Sequence, residues 1–420
     1  MAAPGNDLRP QVNQELPPLL AVYQDLHAHP ELSHHEERTS ARLAAALRQA
    51  GYTVTEHMGK YPGGVPAFGV VALLENGPGP VVLVRTEMDA LPIHEQTGLP
   101  YSSRNEGVMH ACGHDLHMTS FLGTARLLAL LKERWSGTLM LIAQPSEETG
   151  DGARAMLADG LYSRFAKPDY AIALHDEPAI EAGKVGVLAG PLLASATSID
   201  VIIRGLGGHG ARPEVTKDPI VMAAQFILAL QTIVSRQIPP QEPAVVSVGS
   251  IHGGSKYNII PDQVALQLTT RSYSDDVRRT ILAAIDRTAR GIALAAGVPD
   301  DRAPIVKVNE TEGVPVTYND PRLAARLKGV LGAVLGEGNV VQPARLMASE
   351  DFGLFGLEGR RIPTFMFLLG AADPGKLAES RRTGKPLPSL HSSLFYPETG
   401  PALRTGILAT ASAVLHLMKK

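Results

Sequence analysis

The sequence predicts an α/β protein: a mostly parallel sheet layered with helices, interrupted by a smaller α+β unit. Three observations predict it. Short apolar runs bounded by Gly and Pro alternate with Ala- and Leu-rich helical stretches up to residue 190, which is the pattern of strands buried on both faces and crossed over by helices. Near Pro191 the pattern changes to two long helices set among four strands. After Pro315 the first pattern resumes. A length of 420 residues suits two domains, expected at 1–190 with 310–420, and at 191–309 as an insertion.

The elements follow in order. Gln11 to Ala28 reads as a helix that Pro17-Pro18 should kink or delay and Pro30 ends. Glu36 to Ala50 is a second helix, stopped by Gly51. Phe68 to Leu74 and Val81 to Val84 are buried strands. A helix at Thr119 to Glu133, a strand at Thr138 to Ala143, a helix at Ala153 to Ala158 and a strand at Tyr170 to Leu174 complete the first half. The insertion reads βαββαβ: Thr197 to Ile203, helix Ile220 to Ser235, Val245 to Ile251, Val264 to Thr270, helix Val277 to Ala296, and Pro304 to Val308. A helix at Pro321 to Leu335, a strand at Thr364 to Leu369 and a helix at Ala402 to Met418 close the chain. Tyr61 to Pro66 and Asp373 to Pro388, rich in Gly and Pro, read as loops.

Composition narrows the function. Net charge is −3, from 39 basic and 42 acidic residues with no basic block, so nucleic acid and anionic membranes are not expected partners. One cysteine excludes an intramolecular disulfide. No run of about 20 apolar residues, the length a membrane span needs, stands out, and Met1 to Pro10 lack a basic-then-apolar signal pattern. The chain reads as soluble and cytoplasmic, or as periplasmic or secreted if an export signal has been removed.

Chemistry concentrates where strands end, the usual place for sites in open α/β sheets. Val84 runs into Arg85-Thr86-Glu87-Met88-Asp89, Ile142 is followed by Glu147-Glu148, and Leu174 runs into His175. The run Met109-His110-Ala111-Cys112-Gly113-His114-Asp115 puts the single cysteine two positions from a histidine. Cys112, His114, Glu148, His175 and His391 together offer the N, O and S donors that two divalent ions need: zinc first, with manganese, cobalt or nickel also suited. Glu147, beside a ligand yet free to project elsewhere, suits the proton-carrying role in a metal-assisted hydrolysis. Asp89 suits the task of orienting a ligand. Each signal alone is weak, because a lone buried cysteine is more often a small hydrophobe and a lone histidine more often a satisfied core residue. His27, His29, His34 and His35, flanking a helix end, read as solvated capping residues, and His94 and His117 as supporting or rim residues.

Taken in order, these segments resemble the dinuclear-zinc metallopeptidases of the aminoacylase and carboxypeptidase type, and within them the amidohydrolase subgroup of hippurate, auxin-conjugate and N-acyl-amino-acid hydrolases. His29-Pro30-Glu31-Leu32-Ser33, Arg85 to Pro92, Met109 to Asp115, Pro145-Ser146-Glu147-Glu148, Arg204 to Ala211, Asn258 to Asp262, Ser349-Glu350-Asp351-Phe352 and Leu390-His391-Ser392 carry the resemblance across nearly the whole chain. It implies that Cys112, His114, Glu148, His175 and His391 are the dinuclear ligands, with Cys112 able to bridge, and that Glu147 is the general base and acid. It implies that the insertion is a dimerisation or lid domain, and that His209 reaches an active site, from a partner subunit, to support the oxyanion. Asn258 and Arg271 would hold the substrate. The implied reaction is hydrolysis of the amide of N-acyl, including aromatic acyl, amino acids by a homodimer or higher homo-oligomer. A metallo-carboxypeptidase or dipeptidase is the alternative, and a non-enzymatic binding protein on the same fold an alternative of another class. Glu87 stands where the subgroup often has Asp, and Leu116, where it often has Gly, is expected to narrow the pocket. Both bear on substrate range.

Overall fold

The computed structural model describes residues 7–357 and 359–420, so the expectation about Met1–Asn6 lies outside the described residues. The chain begins with α1 (Arg9–Ala28) and α2 (Glu37–Gln49), followed by β1 (Thr53–Lys60), β2 (Pro66–Asn76) and β3 (Val81–Glu87). Next come α3 (His114–Leu130), β4 (Gly137–Gln144), α4 (Gly152–Ala158) and β5 (Tyr170–Glu181). A second group holds β6 (Ser195–Arg204), α5 (Pro219–Gln237), β7 (Ala244–Gly253), β8 (Gln263–Ser272), α6 (Asp275–Ala295) and β9 (Ile305–Val314). The chain closes with α7 (Pro321–Leu335), β10 (Thr364–Ala372), α8 (Pro374–Thr383) and α9 (Thr399–Leu417).

The chain divides into two compact units. One runs to Leu192 and takes in Tyr318–Arg345 and Asp351–Lys420; the other is Leu193–Thr317 with Leu346–Glu350. In the first, an eight-stranded sheet has the order β1-β2-β4-β3-β5-β10, extended by the short strands Val185–Gly186 and Val340–Val341. β4, β3, β5 and β10 run parallel to their neighbours in that series, and β1 and β2 are antiparallel additions. All nine residues of β10 are buried, as an interior strand covered on both faces requires. Helices α1, α3 and α9 pack on one another, and α2 and α4 on β1 and β2. The second unit is a four-stranded antiparallel sheet in the order β7-β8-β6-β9. Residues of β6 and β8 alternate between buried and open, and the inward side chains meet Met222, Phe226 and Leu230 of α5 and Ile281 and Ile285 of α6 in one apolar core.

Several elements differ from expectation. Helix α1 starts at Arg9 and continues through Pro17 and Pro18. Its buried Val12, Leu16, Leu19, Val22, Tyr23 and Leu26 hold it together despite the hydrogen bonds that proline cannot donate. Strand β1 carries little apolar signal in the sequence because, as an edge strand, it buries only Met58 and Gly59. Strand β5 runs past His175 to Glu181, so that histidine sits within a strand. The segment read as the Asp373 to Pro388 loop contains α8. Leu116, expected beside the pocket, is fully buried in the hydrophobic core. Helix α5 is, against expectation, long and apolar enough by length and composition to span a membrane, although a third of it is buried. Its two-sided apolarity is that of a helix with one face in a core and another, with Val221 and Leu228, left exposed.

Candidate metal centre

The register of the parallel strands builds the site. Arg85 of β3 pairs with Ile142 of β4 and Ala173 of β5. Glu87, Gln144 and His175, each two residues further on, therefore reach one level at the carboxyl edge of the sheet. Past this edge the chain delivers Asp89, then the turn before α3, then Glu147-Glu148.

The turn before α3 depends on Gly113. Its φ is 73°, and a Cβ there would lie 2.6 Å from Asp176 Oδ1, so only glycine fits. Cys112 and His114 are thereby presented on either side of a left-handed residue. His391 is itself left-handed (φ 63°), and its N–H donates to Ala111 O at 2.8 Å, tying the loop that carries it to the same turn.

These elements bring all five candidate ligands together. Cys112 Sγ lies 3.6 Å from His175 Nε2. His391 Nε2 is 3.5 Å from Glu148 Oε2. His114 Nε2 is 3.9 Å from Glu148 Oε1 and 3.7 Å from Glu147 Oε2. Ligand atoms of Cys112, Glu148 and His391 lie within 4.8 Å of one another, as do those of His114, Glu147 and Glu148; Glu148 thus belongs to two groups.

The donors are oriented for a cation. His114 Nδ1 donates to the Asp89 carbonyl at 2.8 Å and His175 Nδ1 to the Asp176 carbonyl at 2.8 Å. A carbonyl can only accept, so in each neutral ring the proton sits on Nδ1 and the Nε2 lone pair points into the site. Among the described residues, Asp89 Oδ1, His114 Nε2 and Glu148 Oε1 are buried without a hydrogen-bond partner, which is costly unless something else binds them. The electrostatics register the negative surroundings that attract a cation, whether a proton or a metal ion. Burial opposes charging His114, but the Asp89 hydrogen bond and the charges of Glu87 and Glu148 raise it to about 10. Burial, then the charges of Glu148, Glu147 and Asp176, push the Cys112 thiol well above its usual range. The cluster is an electronegative group of mixed N, O and S donors, buried at Cys112 and His114 and open to solvent at His391, and it fits divalent transition ions.

Asp89 organises the edge from beneath. Its Oδ2 accepts from Ser33 Oγ at 2.7 Å and from the Glu148 N–H at 2.9 Å. Of the remaining candidates, His209 and Asn258 share a two-stranded ladder in the second unit, with His209 paired to Ile259 and the Gly210 N–H donating to Asn258 O at 2.9 Å. His209 is exposed, and its Nδ1 accepts from the Ala211 N–H at 3.0 Å, which leaves Nε2–H as a free donor in the neutral ring. Arg271 is half-buried and donates to Ser349 Oγ at 2.6 Å.

Two histidines do more than the sequence suggested. His117, one turn after His114 on α3, is buried between Glu87 (3.3 Å) and Asp176 (3.1 Å). It also falls in a potential ligand group with Glu87, His114 and His175, but both its nitrogens are engaged. The i, i+3 spacing from His114 was the signal for it. His27 is not a solvated cap: it is buried, with Nδ1 2.6 Å from Asp115 Oδ2 and Nε2 3.2 Å from Glu95 Oε1. Its neighbours 88 and 68 residues away in sequence left no local signal.

Comparison with known proteins places this geometry. Residues 83–382 match the model of peptidase family M20/M25/M40. The chain is 39% identical over 336 residues to a hippurate hydrolase of Campylobacter jejuni, covering 80% of this chain and 84% of that one. It is 33% identical over 404 residues to thermostable carboxypeptidase 2 of Saccharolobus solfataricus, covering 96% of each. Among solved structures, a Bacillus subtilis protein described as a dinuclear metal binding peptidase of the M20 family superposes with a TM-score of 0.78 at 29% identity, over 97% of this chain and 99% of that one.

Proposed function

From the premise that the chain belongs to peptidase family M20/M25/M40, and so is a hydrolase of amide or peptide bonds, we propose that it releases amino acids from N-acyl and N-aroyl amino acids at a centre of two divalent ions. Cys112, His114, Glu148, His175 and His391 would hold the ions, zinc before manganese, cobalt or nickel. The observation that carries the proposal is the convergence of these donors, with two Nε2 lone pairs directed inward by backbone carbonyls, on buried oxygens without partners. When bound, the two ions would supply polarisation of the scissile carbonyl and lower the pKa of a water they hold to roughly 7.

The chain's own residues do the rest. Glu147 takes the proton of the attacking water and returns it to the departing amine. Asp89 holds the Glu148 backbone and the His114 ring in place. His209, brought by a partner subunit, would donate from Nε2 to the oxyanion, and Arg271, with its planar fork for a carboxylate, and Asn258 would help hold the substrate. The second unit serves as lid and dimerisation domain. Exposed Val221 and Leu228 of α5 and the edge strand β7 support a homodimer through that unit. A buried thiol used as a ligand suits a reducing compartment, so the proposed location is the cytoplasm.

The second reading, a carboxypeptidase or dipeptidase, is favoured by the coverage of the carboxypeptidase relative. Amino acid release from acyl-amino acids, aroyl-amino acids and dipeptides, measured on zinc- or manganese-loaded protein with a chelated control, separates the two. Chelator-sensitive release from acyl-amino acids is expected. Release from dipeptides alone would establish the peptidase, and no release from any of them would refute both.

A further inference from the structure

The segment from His29 to Glu36 carries no candidate ligand, yet its polar groups are turned toward the catalytic edge. Glu31 closes α2, accepting from the Arg38 and Thr39 N–H groups. Ser33 reaches Asp89 Oδ2, the same oxygen that accepts from the Glu148 N–H. Glu36 is fully buried, and its Oε1 receives three donors: Ser146 N at 2.8 Å, Ser146 Oγ at 3.0 Å and His34 N at 3.1 Å. The Tyr61 hydroxyl packs on Ser146 Oγ from another side. Ser146 directly precedes Glu147 and has φ 53°, a conformation that a non-glycine residue holds only when its surroundings impose it.

We infer that Glu36 and Ser33 are positioning residues for the catalytic pair: Glu36 locks Ser146 in its left-handed conformation and so aims Glu147, while Ser33 steadies Asp89 and through it the backbone of Glu148. Neither side chain is a ligand or touches Glu147 in the polar contacts above. The inference rests on the reading of Glu147 as the proton carrier. Burial, with the charge of Asp89, raises the Glu36 carboxyl to about 8, and the oxygen that matters acts only as an acceptor. Glutamine can supply the same acceptor; alanine cannot.

The test compares Glu36→Ala, Glu36→Gln and Ser33→Ala in the full chain. On whichever amide substrate the parent turns over, Glu36→Ala is expected to lower kcat about 100-fold, the scale of a misplacement near 1 Å, with KM within about 2-fold. Glu36→Gln is expected to restore kcat to within about 3-fold, and Ser33→Ala, a small change at a half-buried site, to lower it by roughly 5-fold. Both alanine variants should still bind two ions per chain. A second readout needs no activity: hydrogen exchange of the peptide spanning 144–149 should rise at least about 10-fold in Glu36→Ala but not in Glu36→Gln, with α5 unchanged as an internal control. An inactive parent would refute the proposed function and leave this exchange contrast to decide the clamp. Unchanged exchange at 144–149, a rise of equal size in α5, or equal losses of kcat in the Ala and Gln variants would overturn the inference.

Discussion

The carboxyl edge of the large, mostly parallel sheet and the antiparallel four-stranded sheet of the second unit bury opposite things. Around the edge, Arg85, Glu87, Asp89, His114, Asp115, His117 and Asp176 are all buried, and several of their polar atoms lack partners. Between Ser195 and Val314, by contrast, no charged side chain is buried among the described residues, and the core there is made of Ile199, Val201, Phe226, Leu230, Ile281 and their neighbours. Buried ionisable groups are poor stabilisers unless they are paired or bind an ion; apolar burial stabilises by itself. The contrast teaches that the first region is organised for chemistry and the second for holding shape while presenting its loops.

The largest expected effect lies at the edge. Glu147→Gln should retain two bound ions and lower kcat by about 10²–10⁴-fold, the range for a lost proton-transfer group. Elemental analysis alongside steady-state kinetics checks it, and near-normal turnover would remove Glu147 from its role. The complementary change is in the second unit. Phe226→Ala should cost roughly 3–5 kcal/mol of stability by emptying a packed core site, seen as a lower denaturation midpoint, while the metal content stays at the parent value. If this variant lost its ions, the division of labour between the regions would fail.

The smallest effect sharpens the contrast through pH. His27 is raised from its ordinary 6.5 to about 10: burial alone would lower it, but the hydrogen bonds and charges of Asp115 and Glu95 prevail. A group raised on folding stabilises fully below its unfolded value and loses that contribution as pH climbs toward the folded one. Stability should therefore decline between pH 6.5 and about 10, and His27→Asn should flatten that decline. Urea midpoints across this window measure it; an equally steep decline in the variant would assign the loss to other groups.

Much of this was legible in the sequence, for physical reasons that can be named. The α/β class follows from apolar runs separated by helical periodicity, and the metal-centre motifs are local: Cys112-Gly113-His114 is a single turn, and Glu147-Glu148 follows a single strand. What stayed hidden depends on pairings far apart in the chain. Glu36 meets Ser146 across 110 residues and His27 meets Asp115 across 88, so Glu36 reads only as the start of a helix and His27 as a solvated residue near a helix end. Pro17 and Pro18 misled in the other direction, because the tertiary packing of α1 outweighs a local preference that reads as a break.

The central claim, that the buried donors at the sheet edge form one two-ion centre, is tested most directly by anomalous diffraction from crystals of the zinc-loaded protein. The account predicts two peaks per chain, bounded by Cys112, His114, Glu148, His175 and His391. A single ion, or a peak held by Glu87 and His117 with Cys112 and His391 left out, would contradict it.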